Sequence, residues 1–291
     1  MKKSIRFIIN PISGISKKDV LPNLIDQFLD KAQFDYEIVF TQYRGHAKKL
    51  AEEAVKEHFN IVCAVGGDGS VNEIAGPLTN SETMLAILPT GSGNGLARHL
   101  GLPLKLKKAI QKINQLRYKK MDTISFNNYT FINVAGLGFD ALVAEKFDQY
   151  HSRGFFSYAR LVLKEFKNYE GISITINKTE KFERLLFCSF TNATQFGSGF
   201  TISPTSKIED GKFEIVCVEL PRLFGFMALL VRSFFGTIHK SSRFHSFSFA
   251  NANISSSSQF AHIDGDPLIL ENKNKDIKLH CNPTNLKVIV T

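Results

Sequence analysis

Short apolar runs alternate with amphipathic stretches along the first part of the chain. Apolar runs bounded by turn residues are typical of buried strands, and apolar positions that recur every three or four residues are typical of helices. This alternation predicts a parallel sheet with helices on both faces. The predicted strands are Ser4–Ile9, Asp35–Phe40, Ile61–Val65 and Leu85–Leu88, and the predicted helices are Leu21–Ala32, His46–His58, Val71–Leu78 and one that starts at Leu96.

The pattern changes near Asp122, where short strands begin to follow one another between turns. This succession of short strands predicts a second, mainly antiparallel β domain. We place the α/β domain at 1–122 and the β domain at 123–284, with the last run, 285–291, returning to the first domain. In the β domain we expect helices at Ala141–Tyr150, Phe156–Tyr169 and Leu223–Phe235, strands that include Thr130–Ala135 and Leu185–Thr191, and a flexible turn at Ser255–Ser258.

Charge and cysteine usage narrow the range of partners and compartments. A net charge of +9 in 291 residues suits nucleic acid, an anionic membrane or a phosphorylated small molecule, and a surface that is basic for solubility explains it equally well. No block of five like charges occurs, which argues against a nucleic-acid arm. The four cysteines form no CxxC pair, which indicates thiols in a reducing compartment. The longest apolar stretch, Leu223–Val231, is too short to span a bilayer.

Two glycine-rich turns, one strand apart, carry most of the functional information. The first is Gly66-Gly67-Asp68-Gly69-Ser70 and the second is Pro89-Thr90-Gly91-Ser92-Gly93-Asn94-Gly95, and each lies between a predicted strand and a predicted helix. Such strand ends offer backbone N–H groups to an anion, and glycine lets a phosphate approach closely. An aspartate there would repel phosphate unless a divalent cation lay between them. We therefore predict a Mg²⁺–nucleotide site, against the alternative that Asp68 only caps a helix.

Standard nucleotide-binding motifs are absent from the sequence. No GxxxxGK[ST] run occurs, so the chain has no P-loop. Gly91-Ser92-Gly93 continues to Leu96 where the dinucleotide fingerprint needs glycine. The predicted phosphate cradle is therefore of another type.

Several motifs follow one another in order along nearly the whole chain. They are Asn10–Gly14, Thr41 with Gly45–Ala47, Gly66–Ser70, Pro89–Gly95, Asn133–Asp140, Lys207–Lys212 and Ile263–Pro267. The GGDG of the first glycine turn is shared with NAD kinases and phosphofructokinases, but the full series is strongly specific. In this order the motifs resemble the lipid kinases of the diacylglycerol kinase and sphingosine kinase family.

The resemblance implies an ATP-binding α/β domain of the NAD-kinase-like type, a C-terminal antiparallel β-sandwich and an active site between them. It also implies that the first glycine turn holds phosphates and metal and that the second completes the cradle. It therefore implies that Asp68 is both a ligand of the catalytic metal and a catalytic residue. The residues assigned to the nucleotide are Asn10, Ser13, Gly14, Thr41, Gly66, Gly67, Asp68, Gly69, Ser70, Asn72, Thr90 and Ser92.

Asp264 and Asp266 flank Gly265 near the end of the β domain. Two neighbouring carboxylates can serve as a base and a positioning group, although a surface Asp-Gly turn is the plainer interpretation of the residues alone. The resemblance implies that this motif supplies the base that deprotonates the lipid hydroxyl, and we take Asp264 as that base. The family usually has Asp-Gly-Glu. Because Asp266 is shorter than Glu, it is left open which of the two acids has which role.

A second metal site is also implied. Lys207, Asp210 and Lys212 match positions that hold a structural Mg²⁺ in some bacterial diacylglycerol kinases, through one carboxylate and two backbone carbonyls. A strand-entry Asp-Gly turn explains the same residues equally well.

The implied function is transfer of the γ-phosphate of ATP to the primary hydroxyl of a diacylglycerol-like or sphingoid lipid, with Mg²⁺ as cofactor. We expect a cytoplasmic protein on the inner face of an anionic membrane, without a nucleic-acid partner and with a homodimer left open. One alternative is a kinase of a water-soluble substrate such as NAD. Another is a catalytically silent lipid- or nucleotide-binding protein.

Overall fold

The computed structural model describes residues 2–12, 20–148, 155–270 and 276–291. Its first part is the predicted α/β unit, in which four parallel strands stand in the order β2-β1-β3-β4. The strands are β1 (Lys3–Ile9), β2 (Phe34–Phe40), β3 (Ile61–Gly66) and β4 (Met84–Pro89), and the helices are α1 (Val20–Phe28), α2 (His46–Lys56), α3 (Asp68–Leu78), α4 (Gly95–His99) and α5 (Leu106–Ile113).

Helices cover both faces of this sheet, as the sequence predicts. Because successive side chains of a strand point to opposite faces, β3 contributes to two separate cores. Val62 and Ala64 pack in the core that holds apolar residues of α2 and α3. Ile61, Cys63 and Val65 pack in the core that holds apolar residues of α1 and α5. The continuous apolar run in β3 is therefore explained by burial on both faces.

The second part of the chain is the expected antiparallel β-sandwich, and every described strand pair from β5 to β16 is antiparallel. Four fully buried phenylalanines, Phe126, Phe131, Phe190 and Phe213, fill its core. The strands are β5 (Tyr118–Phe126), β6 (Tyr129–Phe131), β7 (Val134–Gly138), β8 (Ile172–Ile176), β9 (Glu180–Thr191), β10 (Gln195–Gly197), β11 (Phe200–Thr201), β12 (Phe213–Glu219), β13 (Phe244–Phe249), β14 (Asn251–Ser256), β15 (Phe260–Ile263), β16 (Asp266–Ile269) and β17 (Asp276–Ile289). The helices are α6 (Phe139–Asp148), α7 (Phe155–Lys167) and α8 (Leu223–Phe234).

One long strand, β17, connects the two parts. Its first residues pair with β14 in the sandwich, and Val288 near its end pairs in parallel with Leu85 of β4. β5 runs antiparallel to β17 along most of its length and passes through Asp122 without a break. The two sheets therefore share hydrogen bonds, which fixes the geometry of the cleft between them.

Two local predictions are wrong. Ser255 and Ser256 belong to a strand, β14, rather than to a flexible turn, because Ser255 pairs with both β8 and β17. Thr130–Ala135 is not one strand but parts of β6 and β7, since the backbone N–H groups of Ile132, Asn133 and Val134 turn towards the carboxylate of Asp264.

The three helices predicted in the second part are present, with ends shifted by a few residues. Tyr150 lies outside the described residues. In the described part of the chain no helix is long and apolar enough to cross a membrane.

Candidate active site

The two glycine turns lie side by side at the carboxyl ends of β3 and β4. The backbone N–H groups of Thr90 and Gly91 both donate to the carbonyl oxygen of Gly66, at 3.0 and 3.2 Å. A Cβ atom on Gly91 would lie 2.4 Å from the Cα atom of Gly67. The turns therefore touch backbone to backbone, and glycine is required at position 91.

This contact gives a first prediction. Gly91→Ala must push the turns apart, which we expect to cost about 1–3 kcal/mol of unfolding free energy and about a hundredfold in turnover through misplacement of the site. Gly67→Ala is the matched comparison, because its Cβ atom would lie 3.2 Å from Gly91, and its loss should be smaller. Thermal unfolding and initial-rate measurements check both variants, and wild-type turnover by Gly91→Ala would contradict the prediction.

Asp68, the first residue of α3, reaches across to the second turn. Its carboxylate faces the backbone N–H groups of Asn94, Gly95 and Leu96, at the start of α4. Burial and the nearby carboxylate of Asp264 raise the pKa of Asp68 to about 6, although these three N–H groups oppose the shift. Asp68 thus faces donors that the sequence alone left available for phosphate, and it reaches from the first turn to the second.

The turn after β1 meets the first glycine turn. The Asn10 side chain donates to the Ser70 hydroxyl at 3.1 Å and accepts from the Ile12 backbone N–H at 3.0 Å. The backbone N–H of Thr41 bonds to the Ile9 carbonyl oxygen, which places Thr41 beside the same turn. Asn10 and Ser70 are therefore in contact and Thr41 lies beside the same turn, while Ser13 and Gly14 lie outside the described residues.

Asp264 is buried, and all of its acceptor capacity is in use. One carboxylate oxygen accepts from the backbone N–H groups of Asn133 and Val134, at 2.9 and 2.8 Å. The other accepts from the Ile132 N–H at 2.9 Å and from the Asn72 side chain at 2.6 Å. Burial raises the pKa of Asp264 and the four donors counteract it. As a base, Asp264 would therefore have to give up one donor.

The Asp-Gly turn that the residues alone suggest is present as well. Asp264 and Gly265 have φ angles of 49° and 90°, and they form the two-residue loop of the β15–β16 hairpin. Asp-Gly is a favoured pair for such loops, because both positions need positive φ. The turn aims Asp264 inward, where Asn72 of α3 ties it to the α/β domain.

Asp266 is the more accessible of the two acids, with 45% of its side chain exposed. Its carboxylate is 3.0 Å from the Arg44 guanidinium, and its oxygens are 3.7 Å from the place of a Cβ atom on Gly69. Asp266, which belongs to the β domain, therefore lies next to the first glycine turn of the α/β domain. Sequence reasoning missed Arg44, whose available signal was its place in the Thr41–Ala47 motif.

The loop proposed for a structural Mg²⁺ is fastened by a residue that sequence reasoning also missed. The buried carboxylate of Asp122 accepts from the backbone N–H groups of Gly211 and Thr284, both at 2.7 Å. Asp210 is exposed and accepts from the Lys212 N–H at 3.1 Å, as an Asp-Gly turn does. Lys207 and Lys212 are also exposed. Metal binding by this loop stays a prediction.

For the predicted catalytic Mg²⁺, the donor set fits an ion that would arrive with a nucleotide. Among the described residues, no three His, Cys, Asp or Glu side chains converge as a resident metal site needs. Mg²⁺ in kinases commonly takes one or two carboxylates together with substrate phosphates. Asp68 offers such a carboxylate, and the buried Asn133 Oδ1, next to the backbone that binds Asp264, has no hydrogen-bond partner among the described groups.

A further buried group lies in the β domain, where His262 comes two residues before Asp264. The Nε2 atom of His262 and the hydroxyl of Ser189 both lie 3.2 Å from one oxygen of Asp140. A Cβ atom on Gly136 would lie 2.4 Å from that oxygen. Glycine at this position therefore leaves space for Asp140 and His262 to meet. The sequence motif Asn133–Asp140 contained this aspartate, but no local pattern linked it to His262.

Known proteins resemble both parts of the chain. Residues 4–126 match the model of the diacylglycerol kinase catalytic domain, and residues 133–290 match that of the YegS C-terminal NAD kinase beta sandwich-like domain. A diacylglycerol kinase of Staphylococcus haemolyticus is 30% identical over 77% of this chain and 69% of its own length. One of Staphylococcus aureus is 29% identical over 77% of this chain and 73% of its own length.

Solved structures share the fold. A crystal structure of a diacylglycerol kinase from Bacillus anthracis covers 100% of this chain, and 97% of that chain is covered, with a TM-score of 0.72 at 19% identity. Yeast NADH kinase complexed with NADH gives a TM-score of 0.54 at 10% identity, over 100% of this chain and 84% of that one.

An α/β unit with two apposed glycine turns, capped by an NAD-kinase-like β-sandwich that brings in two acids, defines a kinase of the NAD-kinase-like fold. Within that class, the matches over both domains show that the chain belongs to the diacylglycerol kinase family. It is a lipid kinase.

Proposed function

We propose that this lipid kinase transfers the γ-phosphate of ATP, bound with Mg²⁺, to the primary hydroxyl of a lipid acceptor. The acceptor is diacylglycerol-like, as the names of the relatives suggest, or sphingoid. The observation that carries the proposal is the meeting of the two domains: Asp264 bonds to Asn72, and Asp266 overhangs Gly69. Acids from one domain thereby face the glycine turn that would hold phosphates in the other.

In this arrangement each part of the site has a distinct task. The glycine turns and Ser70 would orient the phosphates, and Asp68 would hold Mg²⁺, whose positive charge would offset that of the phosphates. Asp264 is the candidate base for the hydroxyl. The hydrogen bond that it would give up is the one from Asn72, because the other three donors are backbone groups. Asp266 and Arg44 stand at the open side, where the acceptor would enter.

Product identification tests the proposal. The protein is incubated with labelled ATP, Mg²⁺ and mixed micelles that contain diacylglycerol, sphingosine or ceramide, with NAD in a separate reaction. Label on a lipid supports the proposal and identifies the acceptor. Label on NAD would favour a kinase of a water-soluble substrate, which shares the fold, and no label on any acceptor would favour a silent binding protein.

The raised pKa of Asp68 predicts an acid limb in the pH–rate profile. A carboxyl with a pKa of about 6 is mostly protonated at pH 5, and the neutral form holds a metal poorly. We therefore expect kcat/KM for ATP to rise with pH, with a midpoint near pH 6, and to level off towards neutral pH. This acid limb would report Asp68 coupled to Asp264. Rates measured from acid to neutral pH check this, with circular dichroism at each pH as the control. A rate that stays flat in the acid range would contradict it.

A further inference from the structure

Helix α8 is apolar on two opposite sides. Phe226, Leu229 and Ser233 are buried, and the Phe226 ring stacks on the Phe166 ring of α7 with centroids 4.1 Å apart. A helix that is apolar all round is normally covered all round. The side of α8 that faces away from the sandwich is not covered by the described chain.

We define the outer face of α8 by six exposed residues: Leu223, Phe224, Met227, Val231, Phe234 and, one residue past the helix, Phe235. Steps of three and four residues from Phe224 to Phe234 place this stripe on one side of the helix. The two outermost rings, Phe224 and Phe235, are 90% and 71% exposed. Large exposed apolar patches on a folded domain mark interaction sites.

The stretch of sequence that contains α8 has charged side chains of one sign. From Leu220 to Ile263 the sequence contains no aspartate or glutamate, although it contains four basic residues: Arg222, Arg232, Lys240 and Arg243. Arg243 lies 3.8 Å from Glu219, just outside this stretch. An apolar helical face with a basic rim fits an anionic bilayer surface, where rings enter the upper acyl region and cations meet headgroups.

The outer face is also close to the candidate active site. The Phe234 ring packs edge-on against the Phe200 ring of β11 with centroids 6.0 Å apart, and the Ser233 hydroxyl donates to the Thr201 carbonyl oxygen at 2.7 Å. The same hairpin reaches the second glycine turn, because the Ser198 N–H donates to the Gly93 carbonyl oxygen at 2.9 Å. A surface bound to α8 would therefore lie one hairpin away from the phosphate cradle.

We propose that the outer face of α8 is the surface by which this kinase docks on an anionic bilayer. Phe224 and Phe235 enter the membrane interface, and Arg222 and Lys240 lie at the headgroups. The inference rests on the proposed function in one respect, since a lipid acceptor resides in such a bilayer. The docking itself is independent of which acceptor is phosphorylated.

Vesicle sedimentation with the full chain tests the docking. The vesicles are phosphatidylcholine alone or phosphatidylcholine with phosphatidylglycerol, at low and high salt. We expect the double variant Phe224→Ser, Phe235→Ser to partition onto the anionic vesicles at least about tenfold more weakly than wild type, because it loses most of the inserted apolar area. Tyr118→Ser, a change at a half-exposed ring on β5, is the matched control and should bind as wild type does.

Substitution of basic residues next to the outer face tests the electrostatic contribution to docking. Arg222→Gln with Lys240→Gln should weaken binding at low salt and reduce its salt dependence, because charges near a membrane surface are screened by salt. Lys48→Gln, at an exposed position on α2, should change neither. Phosphorylation of a short-chain diacylglycerol dispersed in water should be unchanged in all of these variants, since none of these residues touches the glycine turns.

Two results would overturn the docking proposal. One is wild-type partitioning by the double phenylalanine variant. The other is a wild-type dimer in sedimentation velocity that the same variant converts to monomer without any change in vesicle binding, because the face would then join two copies of the chain. If wild type binds vesicles through α8 but phosphorylates no lipid, the proposed acceptor is wrong and the docking surface stands.

Discussion

Asp68→Asn should lower turnover by about a hundredfold to ten-thousandfold, the range for removal of a group that acts on the reacting atoms. A neutral amide holds Mg²⁺ poorly, and its NH₂ group would face part of the N–H groups of Asn94, Gly95 and Leu96 that now face a carboxylate. The fold should survive with some loss of stability, because the N–H groups lose a charged partner while burial already disfavours the charge of this carboxyl in the native state. Initial rates with saturating lipid and thermal unfolding measure the two effects separately.

The control for this variant is Glu52→Gln, which removes an exposed carboxylate from α2 and should leave both turnover and unfolding unchanged. A titration with ATP and Mg²⁺ in the absence of lipid adds a second measure, in which Asp68→Asn should bind the metal–nucleotide more weakly. If Asp68→Asn turns over at the wild-type rate, then Asp68 only links the two glycine turns and the metal site lies elsewhere.

The positions of the glycine turns were predictable because they follow from local patterns. Strand β3 is a continuous apolar run that ends at Gly66, and parallel strands that are neighbours present their carboxyl ends at one edge. Asn10 follows from the same rule, since it comes directly after β1, whereas Thr41 was assigned through the family resemblance. The order of strands in the sequence therefore places both glycine turns and Asn10 at one edge of the sheet.

The acid side of the site was not predictable in the same way. The Asp266–Arg44 pair joins residues 222 positions apart, and no periodicity links them. The role of Asp122, which binds the N–H groups of Gly211 and Thr284, depends on the passage of β5 beside β17. Such contacts follow from the packing of the two sheets.

Burial changes the function that can be inferred from the Asp264-Gly265 motif. From the sequence, Asp264-Gly265 is either a hairpin turn or a catalytic acid, and the structure makes it a turn that also buries its carboxylate against four donors. The sequence could not reveal this saturation, because three of the donors are backbone groups that any residue at 132–134 would supply. It matters for the mechanism, since a carboxylate so bound is first a structural anchor.

Asp264→Asn should therefore reduce stability and turnover together. An amide has one acceptor oxygen, so its NH₂ group would face two of the N–H donors that the carboxylate now satisfies. Leaving buried donors unpaired costs about 1–3 kcal/mol each, so we expect a loss of a few kcal/mol in unfolding free energy. If Asp264 is also the base, kcat should fall by about a hundredfold or more in molecules that remain folded.

Two companion variants separate the anchor from the base. Asp266→Asn changes a half-exposed acid in a surface pair, where such pairs are worth about 0–1 kcal/mol, so it should leave unfolding nearly unchanged and lower turnover less. Asn72→Ala removes one donor, which should cost about 1 kcal/mol while leaving the carboxylate in place. Single-turnover rates at a temperature where every variant is folded, together with ATP affinity, complete the comparison. If folded Asp264→Asn transfers phosphate at the wild-type rate, Asp264 is an anchor alone; if Asp266→Asn is the inactive variant, Asp266 is the base.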